Sequence, residues 1–305
     1  MLMLEYMIGT NIRIAMPLLL AALGELYMEK SGVINVGIEG FMLVGALAGS
    51  LGSYYFNNVW MGAILALLIC GIFGAIYSFL VVTHKSTQVI IGIAMNIFSL
   101  GITSFIYRMF MKGKTHTLFI PSFKDISIPL FSEIPILGDS LFNQPILVYL
   151  TLLMVLFSQH FFYKTYMGLK VRSVGENPKA ADTAGVNVFY TRYIMVIIGA
   201  MLQGLGGVFL ATYVLKFFSE GMVAGRGFIA LAIVIVGKWT PWGILAASLF
   251  FAFGGVLHNV LQVTHPGIPY QLLSMLPYIL TVAVLVGFIG KSTCPAATAM
   301  PYVKE

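Results

Sequence analysis

Long apolar runs separated by short polar segments dominate the chain. A membrane-spanning helix takes about 20 mostly apolar residues, and the runs of that length cover residues 8–28, 33–56, 59–82, 89–110, 145–163, 193–214, 243–262 and 271–290. A shorter run at 224–237 predicts a short or broken span. Because open backbone cannot face lipid, the pattern predicts an all-α, polytopic transmembrane bundle of about nine spans (roughly 8–10) that forms a single domain over residues 1–305.

Composition agrees with a membrane protein. Hydrophobic residues make up 59% of the 305 positions and charged residues only 9%, whereas a soluble chain is about 25% charged. So few charges cannot cover the surface of a soluble globule, which excludes a soluble enzyme, a disordered chain and a nucleic-acid binder. The net charge of +6 comes from only 17 Lys and Arg residues, so the useful question is which side of the membrane they occupy.

Two segments are predicted to lie outside the membrane, 111–144 and 164–192. The second has the higher density of basic residues and only two acidic ones, so the positive-inside rule makes it cytoplasmic. Alternation then places the 111–144 loop and the N-terminus outside and the C-terminus inside. The N-terminus lacks the basic start and cleavage site of a signal peptide, which predicts a retained first span.

The 164–192 segment carries the start and stop signals of a short helix. Asn177 suits the cap and Pro178 the first helical position, while Gly185 is a natural stop. The intervening small residues, Ala180 and Ala181 among them, leave two readings open: an ordinary interhelical loop, or a knob that docks into a groove of a partner.

Three ordered motifs carry a resemblance to a known family. The stretch Gly175–Asn187, of the form G-x-N-P-x-A-A-x-x-x-G-V-N, is similar to the coupling loop of membrane subunits of bacterial ABC importers. The branch is the one that serves ribose-type sugars, branched-chain amino acids and nucleosides. Two further stretches, Gly24–Ala46 and Gly225–Gly243, resemble signatures of its nucleoside-type members, and the tail MPYVKE fits the same subgroup.

The resemblance implies a permease subunit that transports nothing alone. It implies a second homologous permease subunit, a cytoplasmic ABC ATPase and an extracytoplasmic substrate-binding lipoprotein, assembled at the bacterial inner membrane. ATP and Mg would bind to the ATPase, and no cofactor or metal is expected in this chain. The residues expected to couple to the ATPase are Gly175, Glu176, Asn177, Pro178, Ala180, Ala181 and Gly185.

Polar residues at membrane depth are candidates for the substrate pathway, because ionisable groups there are costly and face a cavity or a partner. Glu39 lies in a glycine-interrupted stretch, four residues after Asn35, which suits a broken helix that exposes backbone to substrate. The full set of candidates is Asn35, Glu39, Asn96, Arg226, Phe228 and Glu25. Structural roles remain alternatives: Glu25 at a span end, Glu39 paired with a cation, Arg226 paired with Glu39 or Glu220, and Asn96 bonded to backbone.

The two halves, 1–110 and 193–290, each place a glycine-interrupted polar segment after a long span. This arrangement is typical of the inverted repeats of transporters and predicts a broken helix in each half. The sequence G-K-S-T at 290–293 imitates a phosphate-binding loop, but Leu285 stands where that motif needs glycine and no strand precedes it. The chain is therefore expected to be no enzyme, with ATP hydrolysis on a partner.

The sequence favours an importer of nucleosides that forms half of the translocation pathway. Riboflavin and a ribose-like sugar are alternative substrates for the same machinery. A different class, an ion-coupled secondary transporter, would use Glu39 or Glu25 as its coupling carboxylate.

Overall fold

The computed structural model describes residues 2–112, 120–127, 137–264, 267, 269–276, 279 and 294–304. The helices in these ranges are α1 (Leu2–Lys30), α2 (Ile38–Phe56), α3 (Val59–Ser78), α4 (Gln88–Met111), α5 (Leu137–Phe142), α6 (Ile146–Lys164), α7 (Tyr166–Glu176), α8 (Pro178–Thr183), α9 (Val188–Phe209), α10 (Arg226–Val236), α11 (Pro241–Thr264) and α12 (Tyr270–Ser274). Two short strands, β1 (Asp125–Ser127) and β2 (Asn143–Pro145), pair antiparallel. The predicted helical membrane bundle is confirmed.

Six helical segments of the described chain are long and apolar enough to cross a membrane: Glu5–Lys30, Val59–Thr83, Gln88–Met111, Ile146–Lys164, Val188–Val214 and Pro241–Thr264. Two of them continue α3 and α9 through π-helical turns, Phe79–Thr83 and Leu210–Val214. The run 33–56 was predicted as one span, but its helix, α2, begins only at Ile38 and is not among these six segments. Most of the predicted span 271–290 lies outside the described residues.

Glycines let the central helices pack backbone to backbone. A Cβ added to Gly24 of α1 would lie 2.4 Å from the carbonyl oxygen of Gly199 in α9, and one added to Gly45 of α2 would lie 2.3 Å from that of Gly204. Such approach suits membrane helices, which have no hydrophobic drive to associate within lipid. Both crossings involve α9, which lies between α1 and α2.

The two predicted extramembranous segments lie near opposite ends of α1. At its beginning, a Cβ on Gly9 would contact Ser140 and Gln144. At its end, a Cβ on Gly175 would lie 2.3 Å from the carbonyl oxygen of Lys30. The bundle therefore separates the 137–145 region from α7 and α8.

Candidate functional site

Asn35 joins three parts of the bundle. Its backbone amide donates to Glu25 Oε1 (2.7 Å) and its side-chain amide donates to Gln203 Oε1 (3.0 Å). Gln203 Nε2 in turn donates to Glu25 Oε2 (3.1 Å), and all three residues are fully buried. These bonds link α1, the non-helical connection before α2, and α9, and they satisfy polar groups that would be costly if left unpaired.

Glu29 lies one helical turn after Glu25 and binds a different part of the chain. The indole N–H of Trp239 donates to Glu29 Oε2, and both side chains are buried. This bond holds the end of α1 to the turn between α10 and α11. Neither Gln203 nor Trp239 was among the candidate residues. The signal for Gln203 is a glutamine inside an apolar run, which marks an interior-facing position.

Glu39 holds the first turn of α10. Its Oε1 accepts a hydrogen bond from the backbone amide of Gly225 and its Oε2 accepts one from that of Gly227, both at 2.8 Å. Gly225 adopts φ +83°, and a Cβ on Gly227 would lie 2.4 Å from the Glu39 backbone nitrogen. The carboxylate thus sits at the positive end of the α10 dipole, where a negative charge is stabilised.

Arg226 and Glu220, the alternative partners considered for this region, have other contacts. The Arg226 guanidinium donates to the backbone carbonyls of Met222 (3.3 Å) and Val223 (3.0 Å). Glu220 accepts two hydrogen bonds from Arg108, at 2.8 and 2.7 Å. The pair ties α4 to the irregular chain before α10.

Asn96 binds backbone at the start of α2. Its Oδ1 accepts from the Gly40 amide (2.7 Å) and its Nδ2 donates to the Val36 carbonyl (3.0 Å). Both bonds satisfy backbone groups within the bundle, which is one of the two roles considered for Asn96. Phe228, on α10, is 52% exposed on the outside of the chain.

A cavity of about 950 Å³ opens between the beginning of α1, the 122–125 segment and the ends of α9 and α11. Its lining combines cations, aromatic rings and hydrogen-bonding groups: Tyr6, Thr10, Arg13, Lys124, Asp125, Tyr213, Lys216, Arg226, His258 and Asn259. Of the six candidates for the substrate pathway, only Arg226 lines it. Asn35, Glu39, Asn96 and Glu25 make their hydrogen bonds elsewhere in the bundle, and Phe228 does not line the cavity either.

Hydrogen bonds fix one wall of this cavity. The Tyr213 hydroxyl donates to Asp125 Oδ1 (2.6 Å), and Arg13 Nε donates to Gln144 Oε1 (2.9 Å). The Arg13 guanidinium carbon also lies 5.9 Å from the centre of the Tyr213 ring, within cation–π range. The wall is therefore held by bonds between segments distant in sequence.

The predicted short helix of the 164–192 segment is present as α8. Asn177 Oδ1 accepts from the Ala180 amide (3.0 Å), Pro178 is the first helical residue, and Gly185 has φ +82°. Of the residues expected to couple to the ATPase, Ala181 is only 3% exposed and packs inward, while Ala180 is exposed. The inward face is determined by contacts with Val174, Val188 and Tyr302.

The similarity to known proteins extends over nearly the whole chain. The guanosine ABC transporter permease protein NupQ of Bacillus subtilis is 37% identical over 99% of this chain and 97% of its own length. The nucleoside ABC transporter permease protein NupC of Lactococcus lactis is 30% identical over 99% and 98%. A putative glucose ABC transporter permease protein, TsgC13 of Haloferax volcanii, is 33% identical over 92% and 90%.

No solved structure matches the chain. The model of a family described as "Branched-chain amino acid transport system / permease component" matches residues 7–285. That range includes α2, with Glu39, and the α7–α8 segment, so the three ordered motifs lie inside it, while the tail MPYVKE lies beyond it. The chain therefore belongs to this family of transport permease components.

Proposed function

We propose that this chain is a permease subunit of an ATP-driven ABC importer and forms half of the translocation pathway for a nucleoside. The observation that carries the proposal is the match, over nearly the whole chain, to relatives named as guanosine and nucleoside permeases. A full-length match aligns the spans and the α7–α8 segment together, which a local motif does not do.

The proposed architecture has nine crossings. The six apolar helical segments supply six, α2 adds one, and the run 271–290 adds another. The ninth is a broken span in which irregular chain at 215–225 leads into α10, only 11 residues long and therefore about half the length of a full crossing. The position of Glu39 supports this arrangement, because its side chain, on α2, accepts hydrogen bonds from backbone amides at the beginning of α10.

An inverted repeat is supported by the course of the long helices. Gly24 of α1 meets Gly199 of α9, and the Pro17 carbonyl oxygen meets Gly206, so the two helices run antiparallel. Each is followed by an irregular segment, 31–37 or 215–225, and then by another helix. The two helices that follow, α2 and α10, meet at Glu39.

We propose that α7 and α8 face the cytoplasm and that the 950 Å³ cavity opens on the opposite side. The basic character of 164–192 supports this orientation. In that arrangement the C-terminus is cytoplasmic and the N-terminus is outside. The proposed partners are a second homologous permease, a cytoplasmic ATPase that carries ATP and Mg, and a substrate-binding lipoprotein that delivers the nucleoside at the inner membrane.

The cavity is chemically suited to receive a nucleoside. Tyr6, whose ring is exposed, offers aromatic surface to a base, while Thr10 and Asn259 offer hydrogen bonds to ribose hydroxyls. Its volume lies near the upper end of ordinary ligand pockets, about 300–1,000 Å³, so the substrate would be held loosely. Loose contact suits transport, because binding must be weak enough to release the substrate.

A sugar is the second candidate substrate, because one full-length relative is named as a putative glucose permease. Riboflavin stays a prediction from the sequence motifs. The ion-coupled alternative needs Glu25 or Glu39 to exchange an ion, but Glu25 binds Asn35 and Gln203, and Glu39 binds the α10 backbone.

Competition of uptake tests the proposal. Cells that depend on this importer would take up radiolabelled guanosine, with excess unlabelled nucleosides, glucose, ribose or riboflavin as competitors. We expect nucleosides to suppress uptake and the other compounds to leave it unchanged, and we expect uptake to stop when the ATPase partner carries an inactivated phosphate-binding loop. Absence of saturable guanosine uptake would contradict the nucleoside assignment, and uptake without a working ATPase would contradict the ABC mechanism.

A further inference from the structure

The last described stretch of chain, residues 294–304, folds back onto the coupling segment; we call it the C-terminal tail. The Ala297 amide donates to the Gly175 carbonyl (2.9 Å), and the Ala296 amide donates to the Glu176 carboxylate (3.3 Å). Both acceptors lie at the end of α7. The tail therefore binds at the junction between α7 and α8.

Tyr302 extends this contact beneath α8. Its side chain is 6% exposed and forms a buried cluster with Val174, Ala181 and Val188. Its ring centre lies 5.6 Å from that of Phe189, at an interplanar angle of 61°. The inward face of α8 thus rests on the tail as well as on the beginning of α9.

Arg192 connects the tail to the spans. The residue is 1% exposed, its Nε donates to the Ser31 carbonyl (3.2 Å), and its Nη1 donates to the Met300 carbonyl (3.0 Å). Gly32 leaves room for this guanidinium, because a Cβ there would lie 2.8 Å from Arg192 Nη2. One side chain therefore joins the end of α1, the beginning of α9 and the tail.

The geometry of α8 depends on such contacts. The helix is six residues long, and isolated helices shorter than about 12–15 residues are marginal in water. Its caps favour the local conformation, but they do not fix the direction in which Ala180 points. The contacts that do so are those with α7, α9 and the tail.

We propose that the C-terminal tail is a positioning element for ATPase docking: it holds α8 so that the exposed face with Lys179, Ala180 and Thr183 is presented to the ATPase. This inference rests on the proposed function, which assigns α8 to the ATPase. If α8 occupies the docking geometry for only a fraction of the time, the apparent affinity for the ATPase falls by that fraction. At a saturating concentration, bound ATPase holds α8 in the docking geometry.

The test is a titration of ATPase subunit onto vesicles that contain the complete permease pair and the substrate-binding protein, with nucleoside-dependent ATP hydrolysis as the readout. Tyr302→Ala should raise the half-maximal ATPase concentration about tenfold, which corresponds to populating the docking geometry about a tenth of the time, and should leave the maximum unchanged. Tyr302→Phe keeps the ring and should lie closer to the wild type than Tyr302→Ala. Val303→Ala, at a position 54% exposed on the same tail, is the matched control.

Two results would overturn the proposal: an unchanged half-maximal concentration in Tyr302→Ala, or a lower maximum at an unchanged half-maximal concentration. The variant Ala180→Arg distinguishes failure of the tail proposal from failure of the proposed function. If Ala180→Arg blocks ATPase binding while Tyr302→Ala does not, only the tail proposal fails. If Ala180→Arg leaves binding intact, α8 is not the docking helix, and the assignment on which the tail proposal rests fails with it.

Discussion

Glu39 and Gly227 are 188 positions apart in the chain, yet the Glu39 carboxylate accepts the Gly227 backbone amide at 2.8 Å. With the second bond from Gly225, this contact fastens the beginning of α10 to the beginning of α2. A residue predicted to line a pathway therefore serves in the structure as the cap of a half-length helix. Its role in transport would then be to hold α10 in place beside the cavity.

Glu39→Gln should destabilise the protein. Glutamine retains one acceptor oxygen but presents an NH₂ group to the second amide, and it removes the charge at the helix N-terminus. Leaving one buried amide unpaired costs about 1–3 kcal/mol. In detergent, Glu39→Gln should unfold at a lower melting temperature than the wild type, and cells that carry it should show reduced uptake. Glu5→Gln, near the beginning of α1, is the control and should unfold like the wild type. A folded Glu39→Gln protein with altered nucleoside preference would instead place Glu39 in contact with substrate.

Asn35 and Gln203 should be energetically coupled. Either alanine substitution leaves polar groups unpaired around Glu25, so the second substitution should cost less than the first. A double-mutant cycle on unfolding free energies should give a coupling energy of about 0.5–3 kcal/mol. Additive effects of the two substitutions would contradict the closed hydrogen-bonded arrangement.

Gly45 should tolerate no side chain. Because a Cβ there would lie 2.3 Å from the Gly204 carbonyl oxygen, Gly45→Ala would force α2 away from α9 and lower the yield of folded protein. Gly101→Ala is the matched control, since a Cβ at this α4 position has no neighbour within 4 Å. It should be neutral or stabilising by about 0.5–1 kcal/mol, through the better helix propensity of alanine. Equal yields for the two variants would argue against the close crossing of α2 and α9.

Accessibility of introduced cysteines should establish the orientation. In a Cys294→Ser background, Lys124→Cys should react with a membrane-impermeant reagent applied to intact cells, and Thr183→Cys should react only after the membrane is opened. Both positions are exposed, and the remaining Cys70 is buried and should stay unreactive. Labelling of Thr183→Cys in intact cells would reverse the proposed topology.

Several features of this protein were predictable because their causes are local in the chain. Asn177, Pro178 and Gly185 define α8 through caps and backbone conformation within eight residues of one another, and the structure agrees at each position. The helical bundle follows from the length of the apolar runs and the need to satisfy backbone hydrogen bonds inside lipid. These expectations required no knowledge of distant contacts.

The tertiary structure alone decided which groups meet. Arg226 was one of the partners considered for Glu39, whereas the folded chain brings the Gly225 and Gly227 amides to that carboxylate. Ala181 and Ala180 are indistinguishable by composition, but Tyr302, more than a hundred residues away, buries the first and leaves the second exposed. The sequence by itself determined the helices and their caps, because these depend on neighbouring residues. The partners of Glu39 and Ala181 depend on how distant helices cross, which the packing of the whole bundle decides.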